Sequence, residues 1–249
     1  MDSVQAQVLL LAAGRGERMR PLTDRTPKPL LRVQGKSLLE WHLAALQRAG
    51  VRRVLVNTAW LEEQFAQTPG ALFDAPPLPP VAIAYSREGQ DFGAALETAG
   101  GIVRALPRLA PVFWVAAGDV YAPHFAFSAD DVARFSASAA LAHIWLVPNP
   151  PHNPAGDFGL CSTGLALNLP AQDGAARYTF STIALYKQAF FADCGIAPGN
   201  PQGIKAALAP LLRRGMDNGQ ITATLYPGTW VDVGTPARLA ELNSGDRPA

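Results

Sequence analysis

The sequence predicts an α/β protein built on a doubly wound, mostly parallel sheet. Two observations predict it. Four short apolar runs, residues 8–11, 53–57, 81–85 and 111–116, are spaced by segments with helical patterning. Continuous runs of this length read as strands buried on both faces, and their alternation with helices implies parallel pairing through right-handed crossovers. The second half then changes character. Runs at 141–147, 158–161, 165–167 and 178–186 are separated by Pro, Asn and Gly, which predicts added mixed or antiparallel strands. The whole is Rossmann-like, and ligands of such sheets bind beyond the carboxyl ends of the strands.

Each element has a local reason. Val8-Leu9-Leu10-Leu11 runs directly into Ala12-Ala13-Gly14-Arg15-Gly16-Glu17-Arg18-Met19-Arg20-Pro21-Leu22-Thr23, and then into Thr26-Pro27-Lys28-Pro29-Leu30. Ser37 and Glu40 have capping-box spacing, opening a helix through Ala49 that Gly50 ends. A strand over 53–57, a short helix over 60–67, a proline-rich loop at 76–80 and a strand over 81–85 follow. Helix 97–106 leads to strand 111–116. Further on, the pattern predicts a helix over 202–213 and a strand over 222–226. Thr235-Pro236 suits the N-cap and first turn of a last helix. One domain over 1–243 is expected, with 244–249 a frayed tail. No internal repeat is visible.

Composition excludes several classes. Hydrophobic residues make up 49% of the 249 and charged residues 16%, below the roughly 25% of a typical domain. Such a chain buries roughly 70–75% of its unfolded surface. Twenty-one basic against 20 acidic side chains give no field for nucleic acid or an anionic membrane. No apolar run approaches the roughly 20 residues of a membrane span. Cys161 and Cys194 are too few for a disulfide framework, and His42, His124, His143 and His152 show no metal-ligand spacing. No secretory signal is visible. A soluble, cytoplasmic protein is expected.

The chemistry concentrates after the first strand. Small residues let backbone N–H groups approach an anion, and guanidinium groups add forked donors. Pro27 and Pro29 stiffen the backbone around Lys28, which suits a point-charge contact to phosphate. The loop is thus built to hold polyphosphate. It lacks the third small residue of a dinucleotide fingerprint, Met19 standing there, and it lacks Gly-Lys-Ser/Thr. Asp119 in Ala117-Gly118-Asp119-Val120 and Asp232 in Trp230-Val231-Asp232-Val233-Gly234-Thr235 are acids in apolar surroundings. Acids there are costly unless paired or bound to a metal. Taken singly, Gly14 and Gly16 also suit a tight turn, the arginines a solvated surface, and each acid a cap.

The uninterrupted series G-x-G-x-R-M-R-P-L-T and T-P-K-P-L resembles the signature of the sugar-nucleotide pyrophosphorylases, which join a nucleoside triphosphate to a sugar 1-phosphate. Within that family, Ala59-Trp60-Leu61, Leu96-Glu97-Thr98, Gly156-Asp157-Phe158, Thr179-Phe180-Ser181 and the run 230–235 are most similar to the uridylyltransferases acting on N-acetylmuramate 1-phosphate in cell-wall sugar recycling. The resemblance implies UTP and a sugar 1-phosphate as substrates, Mg²⁺ as cofactor and a monomer or small homo-oligomer. It assigns Arg15, Lys28 and Asp119 to catalysis. It assigns Ala12, Ala13, Gly14, Arg15, Gly16, Glu17, Arg18, Lys28, Glu97 and Gly100 to the nucleotide. Asp157, Thr182 and Asp232 fall to the sugar side, and Asp119 with Asp232 would hold the octahedral metal with phosphate oxygens and waters. Gly100 and Gly101 would allow close backbone approach to base and ribose. Departures are Ala117 for an Asn, Ala99 for a Gly, Thr182 for a Gly, and extra residues at 90–95. They leave open a mannose or glucose 1-phosphate acceptor with GTP or another triphosphate. They also leave open a nucleotide-binding regulatory protein without turnover; Met19 and the prolines around Lys28 argue against a nicotinamide oxidoreductase.

Overall fold

The computed structural model describes residues 5–67, 72–73, 77–170 and 174–244; Pro76 of the proline-rich loop and residues 245–249 of the expected tail lie outside them. In chain order the elements are β1 (Ala6–Leu11), β2 (Arg32–Val33), β3 (Lys36–Ser37), α1 (Leu38–Arg48), β4 (Arg53–Thr58), α2 (Glu63–Gln67), β5 (Leu72–Phe73), β6 (Val81–Arg87), α3 (Glu88–Phe92), α4 (Glu97–Ala105), β7 (Leu109–Ala117), β8 (Val120–Tyr121), α5 (Ala129–Ala137), β9 (Ala142–Val147), β10 (Phe158–Leu160), β11 (Ala166–Leu167), β12 (Arg177–Lys187), α6 (Ala209–Asp217), β13 (Ile221–Leu225), β14 (Val231–Asp232) and α7 (Pro236–Ser244). Among the described residues, no helix is long and apolar enough to cross a membrane.

The central sheet is doubly wound, as the alternation predicted. β7, β1, β4 and β6 are parallel neighbours in that order, with β1 paired to β4 on one side and to β7 on the other. Chain order reverses at β1 and β7, which opens a crevice beyond their carboxyl ends. The second-half strands extend the β7 edge. β12 runs antiparallel to β7, β9 and β10, and β13 adds parallel to β9. Burial follows the two-residue period. Val8 and Leu10 enter a core covered by α1 and α5, while Leu9 enters one covered by α4 and α6. α1 has the predicted capping box, with Ser37 Oγ accepting from the Glu40 N–H and Glu40 accepting from the Ser37 N–H.

Two elements differ from expectation. The helix expected over 202–213 begins only at Ala209. Residues 202–208 form no helix, and the Ala206 carbonyl there accepts the N–H groups of Ala99 and Gly100 while Ala206 N–H returns to Leu96. Asn200, fully buried, holds the bend by bonding both backbone groups of Ile204. Half of the extra residues at 90–95 fall in α3, and α5 has no counterpart in the sequence reading.

A third, small core joins distant segments. Met19, Val33, Leu38, Tyr121, Val233 and Leu242 pack together. Met19 is fully buried, a burial worth roughly 1.5–3 kcal/mol, so it pins the glycine loop to α7. The same region contains β8 and β14, paired antiparallel with Asp232 opposite Val120. That pairing brings the residue before Val120 beside Asp232.

His42 lies beneath this region, fully buried, with Nε2 donating to the Val120 carbonyl at 3.0 Å. Burial pulls its pKa from 6.5 down to about 4. The unfolded chain therefore takes up a proton before the folded one does, and stability present above pH 6.5 is lost as pH falls toward 4. For His42 alone the loss approaches about 3 kcal/mol. Urea midpoints should fall steadily from pH 7 to 4, and less steeply in His42→Gln; a flat wild-type profile would contradict it.

Candidate active site

The crevice begins at the end of β1. It is lined by Ala12, Ala13, Gly14, Gly16, Glu17 and Arg18, together with Lys28, Glu97 and Asp119, around about 540 Å³. The loop's shape follows from Gly16, whose φ is +65°. A Cβ there would stand 3.0 Å from Thr23 Cγ2 and 3.2 Å from Lys28 Cβ. The Thr23 hydroxyl closes the turn on the Gly16 carbonyl at 2.8 Å. Gly14 is open, with nothing within 4 Å of an added Cβ, so backbone there is accessible to a ligand.

Lys28 dominates the electrostatics. Its side chain is only 7% exposed, and Nζ lies 2.7 Å from Asp119 Oδ2 and 3.6 Å from Asp232 Oδ1. Arg238, from the first turn of α7, donates through one terminal nitrogen to Asp232 Oδ2 at 2.9 Å and to its carbonyl at 2.7 Å. Burial opposes ionisation of Asp232, but Lys28 and Arg238 more than offset it and hold its carboxyl below the usual value. His152 Nε2 is 3.4 Å from the same carboxylate. Its pKa is lowered, by burial first and then by Arg238, with Asp232 opposing and Arg18 adding to the fall. Arg18, Lys28, Arg238 and the two acids thus share one rim.

Among the described residues, no cluster of three or more His, Cys, Asp or Glu forms a complete metal cage. The two carboxylates that meet at the Lys28 ammonium are hard oxygen donors of the kind that would suit a magnesium ion.

Behind the loop, Asn57 joins both sides of the crevice. Its Oδ1 accepts the Ala12 N–H at 2.7 Å, and its Nδ2 donates to Glu88 Oε1 at 2.7 Å. Glu88 Oε2 accepts the Leu96 N–H at 2.8 Å. Glu88 is fully buried, and burial raises its pKa against the pull of these donors. The next residue, Glu97, has φ +59° and projects where two cavities meet. A non-glycine residue in that region is uncommon and concentrates at ligand sites.

The second cavity, also about 540 Å³, shares Leu11, Glu97, Thr98 and Ala117 with the first. Phe158, Phe180, Thr182 and Asp157 face it, with Leu212 and Arg213 from α6. Asp157 Oδ2 accepts the Phe180 N–H at 2.8 Å and Oδ1 accepts from Asn153 at 3.1 Å, so it also ties its turn to β12. Ala117 borders both cavities.

Two residues assigned from sequence stand elsewhere. Arg15 is not on the crevice wall. Its guanidinium lies 3.6 Å from the Trp60 ring centroid, donating to the Thr23 carbonyl at 2.9 Å and to Asp24 at 2.8 Å. Gly100 is off the wall too. An added Cβ would come within 2.5 Å of the Ile204 carbonyl, so its small size admits the 202–208 strap. Gly101 similarly makes room for Glu88, whose Oε1 would be 2.6 Å from a Cβ. Asn57, Glu88, Arg213 and Arg238 were not foreseen, although Asn57 stands two residues before Ala59-Trp60-Leu61 and Arg238 three residues past the Thr235 cap.

Fold and crevice define a nucleotide-handling α/β enzyme. The chain belongs to the nucleotidyl transferase family, whose model matches residues 7–247, and it is a nucleotidyltransferase. It is 43% identical over 244 residues, 96% of this chain and 97% of the relative, to an N-acetylmuramate alpha-1-phosphate uridylyltransferase of Neisseria meningitidis. It is 30% identical to a protein of the same name from Caulobacter vibrioides, over 97% of this chain and all of the relative. A putative glucose-1-phosphate thymidylyltransferase from Bacillus anthracis, crystallised with sucrose, has the same fold: TM-score 0.71 at 19% identity, over 98% of this chain and 96% of that one.

Thr182 gives a direct test of local strain. Its φ is +63°, at the irregularity between Phe180 and Ala184 in the β12–β9 pairing. A β-branched residue there costs about 1–2 kcal/mol, while glycine adds about 0.5–1 kcal/mol of unfolded-chain entropy. Thr182→Gly should stabilise by up to about 1 kcal/mol, raising Tm by about 2–4 °C. A lower Tm would mean the hydroxyl's bond to the Ser181 carbonyl outweighs the strain.

Proposed function

We propose that the protein joins UTP to N-acetylmuramate 1-phosphate, giving the UDP-sugar and pyrophosphate, with Mg²⁺ required, in the reuse of cell-wall sugar. The observation that carries this reading is the buried Lys28 ammonium between Asp119 and Asp232, beside the open Gly14 backbone. Near-full-length similarity to two proteins of that named activity supports the sugar and the nucleotide. A cytoplasmic setting is supported by free Cys161 and Cys194.

An oxygen of the sugar 1-phosphate attacks the α-phosphorus of UTP in line, forming the new P–O bond as the bond to pyrophosphate breaks. The nucleophile is already anionic, so no general base is needed. The protein's work is alignment and charge neutralisation. Backbone N–H groups around Gly14 and Gly16 hold the outer phosphates with Arg18. Lys28 neutralises charge where the α-phosphate meets the incoming phosphate. Glu97 and Thr98 line the passage to the second cavity, which holds the sugar. Asp119 and Asp232 would hold magnesium, which supplies Lewis-acid neutralisation of the phosphates when bound.

Lys28→Ala should lower kcat roughly 10²–10³-fold, with melting temperature as the control for folding; near-wild-type turnover would remove Lys28 from the mechanism. Asp119→Asn should shift the Mg²⁺ titration of pyrophosphate release to higher concentration, and an unmoved titration would count against metal binding there. A panel pairing UTP, GTP, CTP and dTTP with N-acetylmuramate, N-acetylglucosamine, glucose and mannose 1-phosphates should give greatest kcat/KM for the first of each.

A further inference from the structure

Lys28 lines the first cavity and Arg213 the second, and the two differ in how their charge is met. Lys28 is neutralised by two carboxylates. Arg213 is not: among the described residues no carboxylate stands within salt-bridge distance of it. Its guanidinium carbon lies 5.5 Å from the Phe158 ring centroid, and one terminal nitrogen donates to Asn168 Oδ1 at 2.7 Å. The Asn168 amide nitrogen in turn donates to both oxygens of Asp217, at 3.0 and 3.2 Å. A neutral amide thus orients one arm of this exposed guanidinium, and among the described residues its other nitrogens meet no acceptor.

Two acids line the cavity, and neither pairs with Arg213. Asp157 accepts the Phe180 N–H and the Asn153 amide through its two oxygens, and Glu97 stands where this cavity joins the first. The remaining wall is largely apolar, with Phe158, Phe180 and Leu212 among its members. An oriented guanidinium on an apolar wall, free of a protein carboxylate, is the arrangement that recognises a ligand carboxylate by paired N–H···O bonds.

We propose that Arg213 is the specificity residue for an acidic sugar. It receives a carboxylate carried on the sugar ring, remote from the 1-phosphate, while Lys28 faces the phosphate end. The inference rests on the assignment of the second cavity to the sugar under Proposed function. It adds the chemical reason an ether-linked lactate on the ring is accepted, and names the side chain responsible.

The test compares two sugars differing in that group, N-acetylmuramate 1-phosphate and N-acetylglucosamine 1-phosphate, in the wild type, Arg213→Gln and Arg213→Lys. Pyrophosphate release is measured with UTP held constant, and Tm is recorded for each variant. A charge-assisted hydrogen bond contributes about 1.5–3 kcal/mol, so Arg213→Gln should cut the ratio of kcat/KM for the acidic sugar over the neutral one by roughly 10- to 100-fold. The loss should fall on KM rather than kcat, and Arg213→Lys should restore part of it. Asn168→Ala, which frees the fork, should reduce the ratio less. An unchanged ratio in Arg213→Gln, or equal losses on both sugars, would overturn the assignment of Arg213. A wild type that prefers the neutral sugar overturns it as well, whereas absence of pyrophosphate release with any sugar and nucleotide overturns the underlying reading.

Discussion

The ammonium of Lys28 between Asp119 and Asp232 is the interaction on which the crevice depends. A lysine so nearly excluded from water is tolerated only when opposite charge faces it, and here two acids do. Each acid is in turn steadied by that charge, Asp232 with a second hold from Arg238. Neither acid belongs to the glycine loop. One follows the strand at the sheet's switch point, and the other comes from a two-residue strand near the chain's end. The loop, the sheet and the last helix are therefore tied together electrostatically at the point where a polyanion would enter.

Packing makes this meeting possible. The β8–β14 ladder sets Asp232 opposite Val120, and the small core of Met19, Val33, Leu38, Tyr121, Val233 and Leu242 holds that ladder against the loop. Met19 explains why the loop departs from a dinucleotide fingerprint. A third glycine there would leave the loop without its anchor in this core. The polar rim is thus supported from below by apolar contacts drawn from the first, middle and last parts of the sequence.

Much of this was legible in the residues themselves. Buried strands announce themselves as short apolar runs, and Ser37 with Glu40 announced its helix. Asp119 and Asp232 were visible because each acid stands in apolar surroundings near a glycine. Their shared contact with Lys28 was not visible, because strands of two residues carry no period. Nor were Asn57 and Glu88: single polar residues in apolar or helical stretches look like surface positions until burial is known. Gly100 and Gly101 were misleading for a related reason. A missing side chain admits a neighbour, and sequence does not say whether that neighbour is a ligand or the chain. Here it is the 202–208 strap and Glu88, and the strap's pairing with α4 also overrides the helical pattern expected from residue 202.

The Asn57 bridge has a further consequence. One amide side chain connects the Ala12 N–H, at the root of the glycine loop, to Glu88 and so to Leu96, where the opposite wall starts. The two walls are mechanically coupled through a chain of three short buried bonds. A ligand that displaces the loop must drag the far wall with it or break one of them. The geometry of the glycine loop and the geometry of the wall at Glu97 are consequently not independent traits. A substitution that tunes one will register in the other.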